Sequence, residues 1–292
     1  MIVRVPATSA NLGPGFDTLG LSLSLYNRFE ISPSIVQSIK IDGEGSNIPK
    51  LLKDNSFIKI FKEIYYELGG DVKDFTFHLK NEIPISRGLG SSSAVVVGAI
   101  ISAYEILKVS YTRDLILSKA IKYEKHPDNI TPAVNGGFNI AMIKNSKVFY
   151  IRHKIPNDIK AVVVIPNKAI STRYSRRALP KQYSLNDAVF NISRSSMLAG
   201  IFLSKRWNLL KIAGEDKIHQ DKRMALLPAL FAVRKEALKR GALMSVLSGS
   251  GSTFLNICYR DDAPNLAKSL SNKFREFRVL ELEFDNIGFN IE

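Results

Sequence analysis

Residues 84–94 read Pro-Ile-Ser-Arg-Gly-Leu-Gly-Ser-Ser-Ser-Ala and run straight into the apolar stretch Val95–Ile101. Gly88 and Gly90 permit backbone conformations closed to other residues and let a ligand come close. Ser91, Ser92 and Ser93 follow, and Ala94 begins what reads as a buried helix. A glycine loop feeding a helix N-terminus gathers unpaired N–H groups at the positive end of the helix dipole, which suits a polyphosphate. The spacing is not Gly-x-x-x-x-Gly-Lys-Ser/Thr, so this is no Walker A loop, and it is not the dinucleotide fingerprint either. An ordinary Gly/Ser turn ahead of a core helix would leave the same trace. One loop alone does not decide.

Two further segments and a short polar element join it. Pro6-Ala7-Thr8-Ser9-Ala10-Asn11-Leu12-Gly13-Pro14-Gly15-Phe16-Asp17 follows the strand-like Ile2–Val5, and Val246-Leu247-Ser248-Gly249-Ser250-Gly251-Ser252-Thr253 precedes the strand-like Phe254–Cys258. Between them lies His126-Pro127-Asp128-Asn129. From Pro6 to about Thr253 this set resembles the GHMP small-molecule kinases, among them galactokinase, mevalonate kinase and homoserine kinase. The wording of the first motif with His-Pro-Asp-Asn is most similar to the homoserine kinase branch.

The resemblance implies ATP, Mg2+ and homoserine as ligands, with phosphoryl transfer to the side-chain hydroxyl and a place in threonine synthesis. It implies an ATP cradle over Pro84, Ile85, Ser86, Arg87, Gly88, Leu89, Gly90, Ser91, Ser92, Ser93 and Ala94. Ser92 and Glu124 are expected on the metal, which takes oxygen ligands and keeps several waters. Asn55 resembles the family position that bonds adenine, although Asp54-Asn55-Ser56 would equally serve as a helix cap. Asn11, Asp17, His126, Asp128, Asn129, Thr172, Arg176, Arg223 and Gly249 are the implied substrate contacts. Asp17 is the natural partner of an ammonium, and the arginines can grip a carboxylate bidentately. Asn129 is expected to position the hydroxyl, with Asp128 left open as a base or a brace. The third motif commonly ends in proline where Ser252 stands, and losing a fixed φ is expected to loosen that loop.

These residues need elements to hold them. Strand-like runs lie at Ile2–Val5, Phe29–Ile31, Ile35–Ile41, Thr76–Leu79, Phe138–Ile143, Lys147–Ile151 and Ile159–Ile165. Helical periodicity marks Ser56–Leu68, Ser91–Leu107, Thr112–Tyr123, Leu185–Leu203, Lys205–Ala213 and Leu226–Arg240. Residues 242–247 and 253–258 read as a hairpin, and Phe277–Phe284 alternates like a further strand. The expected class is α+β. The resemblance implies a first domain, 1–155, like ribosomal protein S5 domain 2, and a ferredoxin-like second domain, 156–292. The polar turn Pro156-Asn157-Asp158 marks the boundary.

Composition excludes several alternatives. With 292 residues, 45% hydrophobic and 23% charged, the chain is of ordinary globular type. The apolar run Ala94–Leu107 is too short for a bilayer span, and no signal peptide is expected. Cys258 is the lone cysteine, so no internal disulfide can form and a cytoplasmic setting is expected. The net charge of +14 raises nucleic-acid binding as an alternative. However, the basic residues are scattered, apart from Lys168, Arg173, Arg176, Arg177 and Lys181, so a small-molecule partner and no nucleic acid are expected. The histidines His78, His126, His153 and His219 match no zinc pattern. A homodimer is expected.

Overall fold

The structure, a computed structural model, describes residues 1–71 and 73–292. The chain opens with β1 (Ile2–Ala10), β2 (Leu19–Ser34) and β3 (Ser38–Gly43), then α1 (Pro49–Lys53), α2 (Ser56–Glu67) and β4 (Asp74–Asn81). Three helices follow, α3 (Ser91–Leu107), α4 (Arg113–Ala120) and α5 (Pro127–Asn135), and then the hairpin of β5 (Phe138–Lys144) and β6 (Lys147–His153). After β7 (Ile159–Ile165) come α6 (Thr172–Arg177), α7 (Leu185–Ser204), α8 (Leu210–Ala213), α9 (Gln220–Met224) and α10 (Ala229–Lys239). The chain closes with β8 (Met244–Leu247), β9 (Phe254–Tyr259), α11 (Ala263–Lys273), β10 (Arg278–Leu282) and β11 (Asn290–Ile291).

Two sheets result. The first has the order β11-β1-β2-β4-β3, with β5 and β6 added beside β2. The second runs β10-β7-β9-β8 with antiparallel pairs throughout. Numbered by their own chain order, those strands lie 4-1-3-2, the order of a ferredoxin-like unit. The α+β expectation holds. The chain passes from the first sheet to the second after β6 but returns at its end, because β11 pairs with β1.

The core explains which helices form. Phe57, Ile60, Phe61, Ile64 and Tyr65 recur on one face of α2 and are buried, as a 3.6-residue period requires. Helix α3 is buried on nearly every side. It lies so close to β2 that a Cβ on Gly98 would meet the Phe29 ring at 2.3 Å. The α2 face and β2 meet where Phe29 stacks on Phe57 at 4.5 Å. The second unit has its own cluster, in which Val162, Val164 and Phe254 pack with Leu230, Val233, Leu266 and Leu270.

Besides elements that were not expected, such as α5 and α11, three expected ones differ from the sequence reading. Strand β2 extends far beyond Phe29–Ile31, reaching back to Leu19. β3 starts at Ser38, and Ile35 and Val36 are exposed ahead of it. Lys205 takes a left-handed conformation that ends α7, so the expected helix over 205–213 shrinks to a short turn and α8.

Candidate active site

The three glycine-bearing loops are joined to one another by their backbones. Thr8 donates its N–H to the Leu89 carbonyl (3.1 Å), Gly249 to Ala10 (3.0 Å), and Thr253 to Arg87 (3.0 Å). Ser248 Oγ bonds the Gly88 carbonyl at 2.6 Å and lies 2.8 Å from Ser9 Oγ. Gly88 and Gly90 have positive φ, and a Cβ on either would strike a neighbouring loop, Ser248 O at 2.2 Å or Thr8 Oγ1 at 1.9 Å. Their lack of a side chain therefore serves loop-to-loop packing as well as ligand approach.

A cleft of about 500 Å³ opens above this junction. At one end stands the N-terminus of α3, with Gly90 as its left-handed cap and Ala94 N–H the first to bond back into the helix. The amides of Ser91, Ser92 and Ser93 precede that bond and are free for an anion. Ser93 Oγ donates to Glu124 Oε2 at 2.6 Å, while Ser92 is exposed at the cleft. Asn55 also lines the cleft. Its Oδ1 caps Phe57 N–H at 2.9 Å and its Nδ2 bonds Leu51 O at 3.0 Å, so the capping role is met in full.

The other end is charged. Arg176, on α6, donates from Nη2 to Asp17 Oδ1 at 2.5 Å, and His126 Nδ1 lies 3.3 Å from Asp17 Oδ2. Arg223, on α9, is almost wholly buried and donates from Nη1 to the Gly249 carbonyl at 3.0 Å. Burial and the nearby Arg176 pull its pKa down to about 10. The Nε atoms of both arginines are buried without a partner among the described residues. An orphaned guanidinium N–H in a cleft is a place for an anion. Between the two ends, Asp128 and Asn129 project from the first turn of α5. Burial, and then the charges of Asp17 and Glu124, push the Asp128 pKa up to about 7. Asn129 Oδ1 accepts from Thr8 Oγ1 at 2.8 Å.

Comparison with known proteins decides the family. Residues 55–137 match the GHMP kinases N terminal domain and residues 198–276 the GHMP kinases C terminal domain. A homoserine kinase of Wolinella succinogenes is 57% identical over 288 residues, covering 99% of this chain and 98% of that protein. One from Helicobacter hepaticus is 58% identical over 293 residues, covering 99% and 98%. The chain belongs to the homoserine kinase family of GHMP kinases. The fold agrees: a homoserine kinase structure from Cytophaga hutchinsonii superposes with a TM-score of 0.88 at 24% identity, covering 100% of this chain and 97% of that one. A mevalonate kinase of Methanococcus jannaschii gives 0.73 at 16%, covering 97% and 98%. ATP use comes with membership of these kinases.

Set against the residues expected of a GHMP kinase, the cleft gathers Asn11, Asp17, Asn55, Pro84, Ile85, Ser86, Gly88, Gly90 and Ser91–Ser93. It also gathers Glu124, His126, Asp128, Asn129, Thr172, Arg176, Arg223 and Gly249. Three side chains of the expected cradle turn elsewhere. Leu89 and Ala94 are buried in the core, and Arg87 spends its guanidinium on the carbonyls of Ile85, Pro166 and Asn167. Arg87 pins the loop to the second unit rather than reaching into the cleft. Asn11 is largely a staple, accepting from Asp17 N–H at 3.0 Å and donating to Gly249 O at 2.9 Å. Ser252, in place of the usual proline, buries its hydroxyl and donates to Lys168 O at 2.6 Å, a tether that a proline ring could not make.

Sequence reasoning missed Thr8, which holds Asn129; it placed Ser93 in the ATP cradle but did not foresee that this serine, rather than Ser92, touches Glu124. It also missed Asp216, whose carboxylate accepts from the N–H groups of Ile218, His219 and Gln220 and so fixes the start of α9. Nothing in the wording of the chain singles out Asp216. Among the described residues no helix is long and apolar enough to cross a membrane.

Proposed function

We propose that this chain transfers the γ-phosphoryl group of ATP to the side-chain hydroxyl of L-homoserine, making O-phospho-L-homoserine for threonine synthesis. The observation that carries this reading is the Asp17–Arg176 pair, with Arg223 beside it, in the same cleft as the α3 N-terminus. A zwitterion can insert there, its ammonium on Asp17 and its carboxylate on the orphaned N–H groups of the arginines. One internal ion pair then becomes two ligand pairs. Mevalonate and shikimate carry a carboxylate but no ammonium and would leave Asp17 without a new partner.

In this reading the amides of Ser91–Ser93 hold the polyphosphate and Asn55 borders the adenine. Ser92, Ser93 and Glu124 supply a hydroxyl-and-carboxylate donor set of hard oxygens, which fits Mg2+. When bound, the metal neutralises charge on the polyphosphate. With its Oδ1 taken by Thr8, Asn129 has N–H groups left, which fix the acceptor oxygen but cannot take its proton. That oxygen bonds the γ-phosphorus while the bond to the bridging oxygen breaks and ADP leaves with the electron pair. A loose transition state lets deprotonation lag, so the hydroxyl proton leaves late, to a phosphoryl oxygen or to water. The Asp128 pKa of about 7 favours a second reading, in which this carboxylate accepts the proton.

The same reading includes a homodimer and a cytoplasmic setting, the latter in keeping with a lone thiol, Cys258, whose pKa burial pushes up to about 12. A coupled ADP-release assay across homoserine, serine, mevalonate and shikimate tests the function. Homoserine should dominate kcat/KM; a preference for an acceptor lacking the ammonium would overturn the assignment.

A further inference from the structure

Arg223 spends both protons of Nη1 inside the protein. One goes to Gly249 O at 3.0 Å, and the other points at His219 Nδ1, 3.2 Å away. The other nitrogen of that ring, Nε2, lies 2.7 Å from the Gly13 carbonyl. A carbonyl can only accept and a guanidinium can only donate. The two contacts therefore require one state of His219: neutral, protonated at Nε2, with a lone pair on Nδ1 facing Arg223. Complete burial, with the neighbouring guanidinium, keeps the ring neutral by pulling its pKa down to about 4.

The surroundings hold this state in place. His219 is the N-cap residue of α9 and Arg223 stands four residues on, so both project from one face of the same turn. Asp216, whose carboxylate lies 4.0 Å from His219 Nε2, is occupied by Asn191 Nδ2 and the N–H groups that open α9. The Phe16 ring lies 5.1 Å from the His219 ring and carries the guanidinium carbons of Arg176 and Arg223 at 5.2 and 5.1 Å. With Nη1 committed, Arg223 retains Nε, which has no partner among the described residues, together with Nη2. Those two form the side-on fork that matches a carboxylate.

We infer that His219 is a positioning residue for carboxylate recognition, a neutral acceptor that fixes one edge of Arg223 so that the Nε/Nη2 fork faces the amino-acid substrate. The inference rests on the reading that Arg223 takes the substrate carboxylate. It also ties the first glycine motif, through Gly13, to the arginine that recognises the acceptor.

His219→Asn and His219→Gln separate acceptor placement from packing. Asparagine sets Oδ1 close to where Nδ1 stood, so it preserves the acceptor for Arg223. Glutamine reaches the Gly13 carbonyl but leaves Arg223 without a partner. Steady-state kinetics are measured with homoserine and with 3-aminopropan-1-ol, the analogue lacking the carboxylate, using Arg223→Ala as reference. His219→Gln should raise the homoserine KM roughly tenfold or more, with a smaller change in kcat. It should also move the homoserine-to-aminopropanol ratio of kcat/KM toward that of Arg223→Ala. His219→Asn should stay much closer to wild type on both measures.

A His219→Gln enzyme no worse than His219→Asn, or an unchanged substrate ratio, overturns the inference. If Arg223→Ala itself leaves the ratio unchanged, the carboxylate reading fails first and the inference falls with it. Nitrogen-15 NMR of the histidine-labelled wild-type chain needs no variant to fold. It should show His219 neutral and Nε2-protonated at pH 7, with Nδ1 shifting when homoserine is added; an Nδ1-protonated ring or an imidazolium overturns the inference.

Discussion

Asp128 sits where a carboxylate is least comfortable, buried at the head of α5 with Asp17 and Glu124 nearby. Its pKa of about 7, against about 3.9 in an unfolded chain, means the folded state keeps the proton longer. Stability from this group is therefore complete below about pH 4 and is lost as the pH rises toward 7. Asp128→Asn has no proton to lose. Its melting temperature should gain on wild type between pH 5 and pH 8, by the equivalent of roughly 2–4 kcal/mol. On the base-free reading the variant stays within about a hundred-fold of wild-type kcat. A larger loss, with disappearance of a limb near pH 7, would make Asp128 the base, whose removal typically costs about 10²–10⁴. Glu124 gives a second residue-scale prediction. Glu124→Ala should cut kcat at saturating Mg2+ far more than it lowers the melting temperature, because Glu124 is half-exposed and, among the described residues, its side chain bonds only Ser93. Near-wild-type kcat would send the metal to another carboxylate. Asp17 and Arg176, which the structure pairs in the cleft, were named from the motifs they sit in, since an arginine does not stand out by charge in a chain of net charge +14. The contacts of Thr8 and His219 were not legible, since Thr8 meets Asn129, 121 residues along the chain, and the His219 ring is fixed by Gly13, 206 residues away.

At the scale of elements, most strands and helices with clean periodicity were readable and several without it were not. The first half of β2 is an exception: Leu19–Leu25 alternates leucine with Gly20, Ser22 and Ser24 as a strand should, yet it was not read as one, and both of its faces are largely buried. Helix α5 carries Pro132 in its interior, which argues against a helix until tertiary packing overrides it, whereas Pro127 stands at the first position, where proline is tolerated. Helix α11 buries only Ala263, Leu266 and Leu270 in a polar sequence; the spacing was present but faint. The glycine loop was legible as a loop, yet its contacts were not, and they make a test. Gly90→Ala would place a Cβ 1.9 Å from Thr8 Oγ1, the atom that holds Asn129. The variant should lose on the order of 1–3 kcal/mol from backbone strain, and should lose kcat as Asn129 shifts. Gly69 also has positive φ but meets nothing within 4 Å. Gly69→Ala should therefore cost stability while kcat holds, as measured by urea unfolding beside steady-state rates. Equal kcat in both variants would show that the Thr8–Asn129 contact does not matter for turnover.

The whole molecule binds its two ends to one site. Asp17, the α3 N-terminus and α5 come from the first sheet's unit, while Arg176 and Arg223 come from helices that follow β7. The chain's last residues then return to brace α5 from behind. Gly137 N–H bonds Asp285 O at 2.7 Å, Phe289 N–H bonds Ala133 O at 2.9 Å, and the Arg113 guanidinium lies 4.8 Å from the Phe289 ring centroid. The head of that helix carries Asp128 and Asn129, so the tail acts on the cleft through a rigid element. Phe289→Ala should cost about 3 kcal/mol from lost burial. It should also lower kcat, since a displacement of about 1 Å at the reacting groups can cost on the order of a hundred-fold. Leu270→Ala is the matched control: it is fully buried in the second unit's cluster, whereas Phe289 belongs to the other one. Both variants should melt earlier by comparable amounts in differential scanning calorimetry. At a temperature where both remain folded, only Phe289→Ala should turn over slowly. If the two lose stability alike and neither loses kcat, the tail braces the fold without governing the site.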